Sequence, residues 1–147
     1  MKLSKFAVCI LFLLFSSFTA AQVSVTNPCT STAPRSHIKV AITTATTTEL
    51  VPLVANQVIY VCEFSLTISQ VVTTANIIKF VYGTGTACAT GTTDITGGFG
   101  TGGITAGIPI SVNGGGFKTA ISNALCATTT IGGSAAFSGV VSYIQQP

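Results

Sequence analysis

The sequence predicts an all-β domain, an antiparallel β-sandwich or jelly roll of about seven to nine short strands pinned by two disulfides. Three observations predict it. β-Branched Thr, Val and Ile dominate the chain, apolar residues recur at period two rather than at helical spacing, and Gly and Asn turn signals separate the runs. Short strands at such spacing form two packed sheets. Thr-rich snatches recur without a fixed period, which argues against a solenoid.

Residues 1–21 read as a cleavable signal peptide and are set apart from the fold. Lys2 and Lys5 form a positive start, Phe6 to Phe15 an unbroken apolar run, and Thr19, Ala20 and Ala21 a small-residue cleavage site. The apolar run falls far short of the roughly 20 residues that span a bilayer, so no stable membrane anchor is expected after cleavage. Cys9 lies inside the run, away from the cut, which argues against a lipid anchor. Removal of 21 of 147 residues leaves 126, enough for one domain with a real core. Four basic residues, Arg35, Lys39, Lys79 and Lys118, then face Glu49, Glu63 and Asp94, for a net charge of +1. That balance offers no electrostatic footprint for nucleic acid.

Residues 22–36, with Pro28 and Pro34, read as an irregular lead-in held down by Cys29, and residues 37–147 as a single β-sandwich domain. Ile38, Val40 and Ile42 alternate with Lys39 and Ala41, a half-buried strand. Glu49 to Val54 reads as an edge strand because Pro52 interrupts it. Val58 to Ile68 gives the clearest pattern. Val58, Tyr60, Cys62, Phe64, Leu66 and Ile68 are expected on one face, with Cys62 toward the core, and Ile59, Val61, Glu63, Ser65 and Thr67 on the other. Ile77 to Tyr82 is expected to pair with it as a hairpin, placing Ile78, Phe80 and Tyr82 together. Gly83 to Thr96 reads largely as a loop stapled by Cys88, with short β segments at Thr93 to Thr96 and Ile104 to Ser111. Asn113-Gly114 is a turn signal. Asn123 to Thr130 and Phe137 to Ile144 complete the set, with Gly132-Gly133 as the turn between them.

Cys29, Cys62, Cys88 and Cys126 are an even set in a chain with an export signal, so two disulfides are expected. Their spacings of 33, 26 and 38 residues lack the close pairs of a zinc site. Three connectivities remain open. With Cys62 taken to face the core, Cys62→Ser is expected to cost more than Cys88→Ser.

Catalytic chemistry finds little material. His37 is the only histidine, and a triad would need an acid to orient it and a nucleophile on a sharp turn, yet no G-x-S-x-G occurs. Three isolated acids suit neither a glycosidase pair nor a calcium loop. Gly83-Thr84-Gly85 and Gly98 to Gly103 contain G-x-G but open no predicted helix that could hold a phosphate. No catalytic, cofactor-binding or metal-binding residue is therefore assigned, and no cofactor is expected. Thr43, Thr44, Thr46, Thr47, Thr48 and Thr128 to Thr130 leave a hydroxyl-rich surface with scarce charge, which favours self-association.

The chain resembles a group of small, mostly uncharacterised β-sandwich proteins encoded by tailed bacteriophages and related metagenomic sequences. The resemblance runs through Thr46-Thr47-Thr48-Glu49-Leu50-Val51, Val58-Ile59-Tyr60-Val61-Cys62, Lys79-Phe80-Val81-Tyr82-Gly83-Thr84-Gly85-Thr86-Ala87-Cys88, Thr92-Thr93-Asp94-Ile95-Thr96-Gly97, Asn123-Ala124-Leu125-Cys126 and Gly139-Val140-Val141-Ser142-Tyr143. It implies a virion-associated or host-surface-binding accessory protein and carries over no functional residue. The expected function is that of a non-enzymatic exported structural or interaction protein, secreted to a periplasmic, extracellular or virion-surface location. A homo-oligomer or a virion or cell-surface component is the expected partner. The rival reading is a carbohydrate-binding module with a glycan as ligand, which would need exposed aromatic platforms in a chain with no Trp and three Tyr.

Overall fold

The structure, a computed structural model, describes residues 27–68, 76–101, 109–131 and 136–147. The expected signal peptide, the start of the lead-in, the Gly132-Gly133 turn and the first part of the Ile104 to Ser111 segment lie outside them. Nine strands are described: β1 Ser36–Ile42, β2 Thr47–Val51, β3 Val58–Ile68, β4 Asn76–Thr84, β5 Thr90–Asp94, β6 Phe99–Thr101, β7 Pro109–Lys118, β8 Ala124–Thr130 and β9 Phe137–Gln146. They form two antiparallel sheets packed face to face, as a sandwich requires. One sheet has the order β1-β9-β3-β7 and the other β2-β8-β4-β5, with β6 also on β4.

The inner faces follow from period-two alternation. Val40, Ile42, Ile59, Val61, Phe64, Leu66, Ile68, Phe137 and Val141 of the first sheet meet Leu50, Val51, Ile78, Phe80, Leu125 and Ala127 of the second, all buried. Phe64 is the aromatic hub between the sheets, with ring centroids 4.9 Å from Phe80 and 5.3 Å from Phe99. At about 25 cal/mol per Å² of apolar surface, this interlayer burial is the main term holding the two leaves together.

Several expectations need correction. β3 and β4 are not a hairpin, because they belong to different sheets. The connections β1-to-β2, β2-to-β3, β6-to-β7, β7-to-β8 and β8-to-β9 likewise pass from one sheet to the other, and among the described strands β4 and β5 are the one consecutive pair that is hydrogen-bonded.

The expected faces of β3 hold only for its second half. Val61 pairs with Tyr143 and Glu63 with Ser142, so Cys62 is an extra residue against β9. That bulge flips the phase. Ile59 and Val61 point inward before it, Phe64, Leu66 and Ile68 after it, and the strand buries both sets. Cys62 is buried in a satellite cluster with Cys29 and Ile144, against Ala33 and Tyr60, outside the main core. Asn113-Gly114 is no chain-reversing turn either. It lies inside β7, where four β7 steps from Phe117 to Asn113 match two steps of β3, a bulge opposite the first one.

Strand ends also move. The edge strand ends at Val51, before Pro52. β5 runs from Thr90 to Asp94 rather than from Thr93 to Thr96, and β6 is an addition.

The two disulfides are Cys29–Cys62 and Cys88–Cys126. Each ties a flanking segment to the outer face of one sheet. Cys29 sits in a 3-10 turn, Pro28–Thr30, capped by the Asn27 side chain, whose oxygen accepts from the Cys29 amide at 3.0 Å. Arg35 adds a 2.6 Å hydrogen bond to the Cys29 carbonyl. Cys88 closes a second 3-10 turn, Thr86–Cys88, and packs with Val81, Ala124 and Cys126.

Candidate functional site

The charged and imidazole groups among the described residues lie on the outer faces of the sheets, while the interior is filled mainly with aliphatic and Phe side chains, with Asn76 and Thr129 as buried polar members. On the first sheet, antiparallel register aligns His37 with Ser142, Ser142 with Glu63, and Glu63 with Asn113, one row across β1, β9, β3 and β7. Directly opposed residues share a face, so this row projects outward. His37 Nδ1 and Ser142 Oγ are 2.8 Å apart. Sequence reasoning missed Ser142, since the pairing joins positions 105 residues apart.

This row is not arranged as a catalytic triad. A nucleophilic serine needs the sequence Ser-His-acid, with the acid orienting the imidazole from its far side. Here the order is His-Ser-acid. Glu63 lies two strands from His37, about 10 Å at the usual strand spacing, on the wrong side of the serine. Ser142 is also 5% exposed and sits in an interior strand paired on both sides. Its neighbouring amides belong to two ladders, so they are poorly placed to stabilise an oxyanion.

The other acids are spread out. Glu49, Cys126, Val81 and Asp94 form one row across β2, β8, β4 and β5 on the outer face of the second sheet. Three strand spacings put Glu49 and Asp94 about 14 Å apart. That exceeds the roughly 5 to 10 Å of a glycosidase pair, and Glu63 lies on the opposite side of the sandwich. Asp94 is engaged with Lys79, 2.8 Å away on the surface. Among the described residues, no three His, Cys, Asp or Glu side chains gather as metal ligands.

The Thr-rich segments are only partly free. Thr129, buried, donates from Oγ1 to the Thr44 carbonyl at 2.9 Å and accepts from the Thr46 amide at 3.3 Å. The Thr129 amide donates to the Thr46 carbonyl, and Thr47 and Thr128 hydroxyls meet at 3.0 Å. These bonds sew the β1-to-β2 connection onto β8. Thr43, Thr44, Thr46 and all of β5 remain exposed.

Compared with protein-family models, curated proteins and solved structures, the chain matches none. What it can do must therefore be read from its own surfaces. Every Phe and Tyr ring among the described residues is buried or half-buried, Tyr60, Tyr82 and Tyr143 included. Among those residues no helix is long and apolar enough to cross a membrane. Two disulfides fit an oxidising, extracellular or periplasmic environment.

The sheet edges are the remaining surfaces with unsatisfied chemistry. β1 and β7 bound the first sheet, and β2 and β5 with β6 bound the second. β2 is short, bulged at Leu50 and stopped by Pro52. β7 is kinked at Asn113 to Gly116. β1 differs. All seven of its residues pair with β9 without a register shift, it holds neither Gly nor Pro, and its far edge has no partner strand among the described residues.

Proposed function

We propose that the protein is a non-enzymatic, exported structural or interaction protein that assembles through its sheet edges. The observation that carries this reading is β1, a seven-residue edge with no register shift whose outer side pairs with no other described strand. Natural edges are normally blunted by charge, proline or a bulge, and β1 carries only His37 and Lys39 for that purpose. The low surface charge adds little colloidal repulsion. The signal-like N-terminus and the resemblance to phage-encoded proteins support display on a virion or cell surface.

The test is a lysine at Ala41, an exposed β1 position. Sedimentation of the parent should show oligomers that grow with concentration, and Ala41→Lys should shift them to monomer without changing the far-UV spectrum. A strictly monomeric parent at high concentration refutes assembly through β1. Detection of the protein by mass spectrometry in purified virions, or in washed cell envelopes, tests the display component.

A further inference from the structure

One end of the sandwich carries an apolar tip that the fold does not explain. Residues 52–55, Pro-Leu-Val-Ala, are exposed one after another, and Ala120 and Ile121 are exposed in the segment that joins β7 to β8. Leu53 is 40%, Val54 42% and Ile121 57% exposed. Runs of three or four consecutive exposed apolar residues are avoided in soluble proteins unless they serve a function.

The two segments are fastened to each other. The Ser122 amide donates to the Gln57 carbonyl at 2.8 Å, and the Asn56 amide donates to Ser122 Oγ at 2.9 Å. Asn56 and Ser122 both adopt positive φ, 61° and 57°. A reciprocal pair of bonds thus holds two non-glycine residues in a conformation that costs energy, and the apolar side chains are presented together. Behind them, Thr119 clamps Ile59 through two bonds, amide to carbonyl at 3.0 Å and Ile59 amide to Thr119 Oγ1 at 3.1 Å. Gln145 Nε2 donates to the Pro52 carbonyl at 3.2 Å.

We infer that this tip inserts into the interfacial region of a phospholipid bilayer. The area argues against a second protein. Three aliphatic side chains about half exposed offer on the order of 150 Å² of apolar surface, whereas a stable interface takes about 800 Å² from each partner. A small tip with no matching rim suits a fluid phase that needs no shape complementarity. Charge points the same way. Residues 52–57 and 119–123 contain no charged side chain, and the nearest flanking charges along the chain, Glu49 and Lys118, are opposite in sign. The interaction is therefore apolar and indifferent to lipid charge. Burial of these side chains corresponds to a partition coefficient on the order of 10 M⁻¹, far below the roughly 10⁴ M⁻¹ of a single myristoyl chain. Such contact becomes durable only when several copies act together.

Flotation with vesicles tests this, using phosphatidylcholine alone and phosphatidylcholine with one third phosphatidylglycerol. The parent and the edge-blocked Ala41→Lys variant are compared, which separates lipid contact from assembly through β1. The variant should partition weakly and the oligomeric parent more strongly, each equally into the two vesicle types and with no loss in high salt. Leu53→Asn/Val54→Asn/Ile121→Asn should lower the coefficient at least tenfold while retaining the parent's β-sheet spectrum. If the triple variant misfolds, Ile121→Asn alone should lower it about threefold. Absence of parent binding at tens of millimolar lipid overturns the inference. So does binding that requires the anionic lipid and vanishes in salt, or a triple variant that binds as the parent does. Loss of the parent's oligomers in the triple variant, without vesicle binding by the parent, assigns the tip to a second copy instead.

Discussion

Gly139→Ala should be among the most damaging small substitutions in the molecule. Gly139 lies in β9 between Val40 of β1 and Leu66 of β3, with φ +154°. A Cβ built there collides with the Ser65 carbonyl oxygen and lies 2.9 Å from Leu66 Cα. Both obstacles are backbone of β3, which is itself paired with β7 on its far side, so relief requires a strand to move. Overpacking of this kind costs about 1 to 3 kcal/mol, and a non-glycine residue in such a backbone region about 1 to 3 more. The central expectation is about 4 kcal/mol. For a domain of this size each kcal/mol lowers the melting temperature by about 3 to 5 °C, so a fall of about 15 °C is expected. Gly116→Ala is the control, since a Cβ there meets nothing within 4 Å. Its midpoint should stay within about 3 °C of the parent, in line with an ordinary surface change. Thermal and urea unfolding by circular dichroism, with disulfides intact, provide the readout. A Gly139→Ala midpoint as close to the parent as that of Gly116→Ala refutes the reasoning.

Three further outcomes follow from the packing. Phe64→Ala should cost about 3 to 5 kcal/mol in urea unfolding, because the side chain is 1% exposed and joins the two sheets through Phe80 and Phe99; a loss under 1 kcal/mol contradicts its role as the hub. The double substitutions Cys29→Ala/Cys62→Ala and Cys88→Ala/Cys126→Ala should cost nearly the same, about 4 kcal/mol each, since the bridges close similar loops of 33 and 38 residues. A gap above 2 kcal/mol between them, measured by thermal unfolding, refutes the loop argument. This replaces the expectation that Cys62 matters more, which relied on a core-facing Cys62. Thr129→Val keeps the shape but strips a buried hydroxyl from the Thr44 carbonyl and the Thr46 amide, at about 1 to 3 kcal/mol. Hydrogen exchange at the Thr46 amide should accelerate, and an unchanged rate there discounts the clasp.

The fold class and the identities of β3, β4, β8 and β9 were legible because alternation and turn chemistry are local signals, whereas β7 was not, since a turn signal stands in its middle. Val58 to Ile68 is recovered in full, and Ile77 to Tyr82 lies within β4. The partners were not legible. Hairpin pairing is the usual expectation for adjacent strands, but β3 and β4 bury facing sides across the core, and no local feature distinguishes the two arrangements. The bulge at Cys62 defeated the face assignment for a different reason. Ile59, Val61, Phe64, Leu66 and Ile68 are all apolar, so the sequence carries both phases and only the register with β9 chooses between them. Asn113-Gly114 misled because residue pairs that favour a tight turn also occur at strand bulges. The His37–Ser142 contact depends wholly on the β1-to-β9 register. The apolar tip stands openly in the sequence at Pro52 to Ala55, but Glu49 to Val54 reads as an edge strand there, because burial is a tertiary property.

The disulfide pattern bears on how the chain matures. Its bridges join the first cysteine of the described residues to the second and the third to the fourth, so the two closed loops neither overlap nor nest. A chain delivered N-terminus first into an oxidising compartment presents Cys29 and Cys62 before Cys88 emerges. Pairing in order of arrival in such a compartment would yield the native set without unscrambling a wrong first bond. An interlocked arrangement such as first-to-third would have required a thiol to wait.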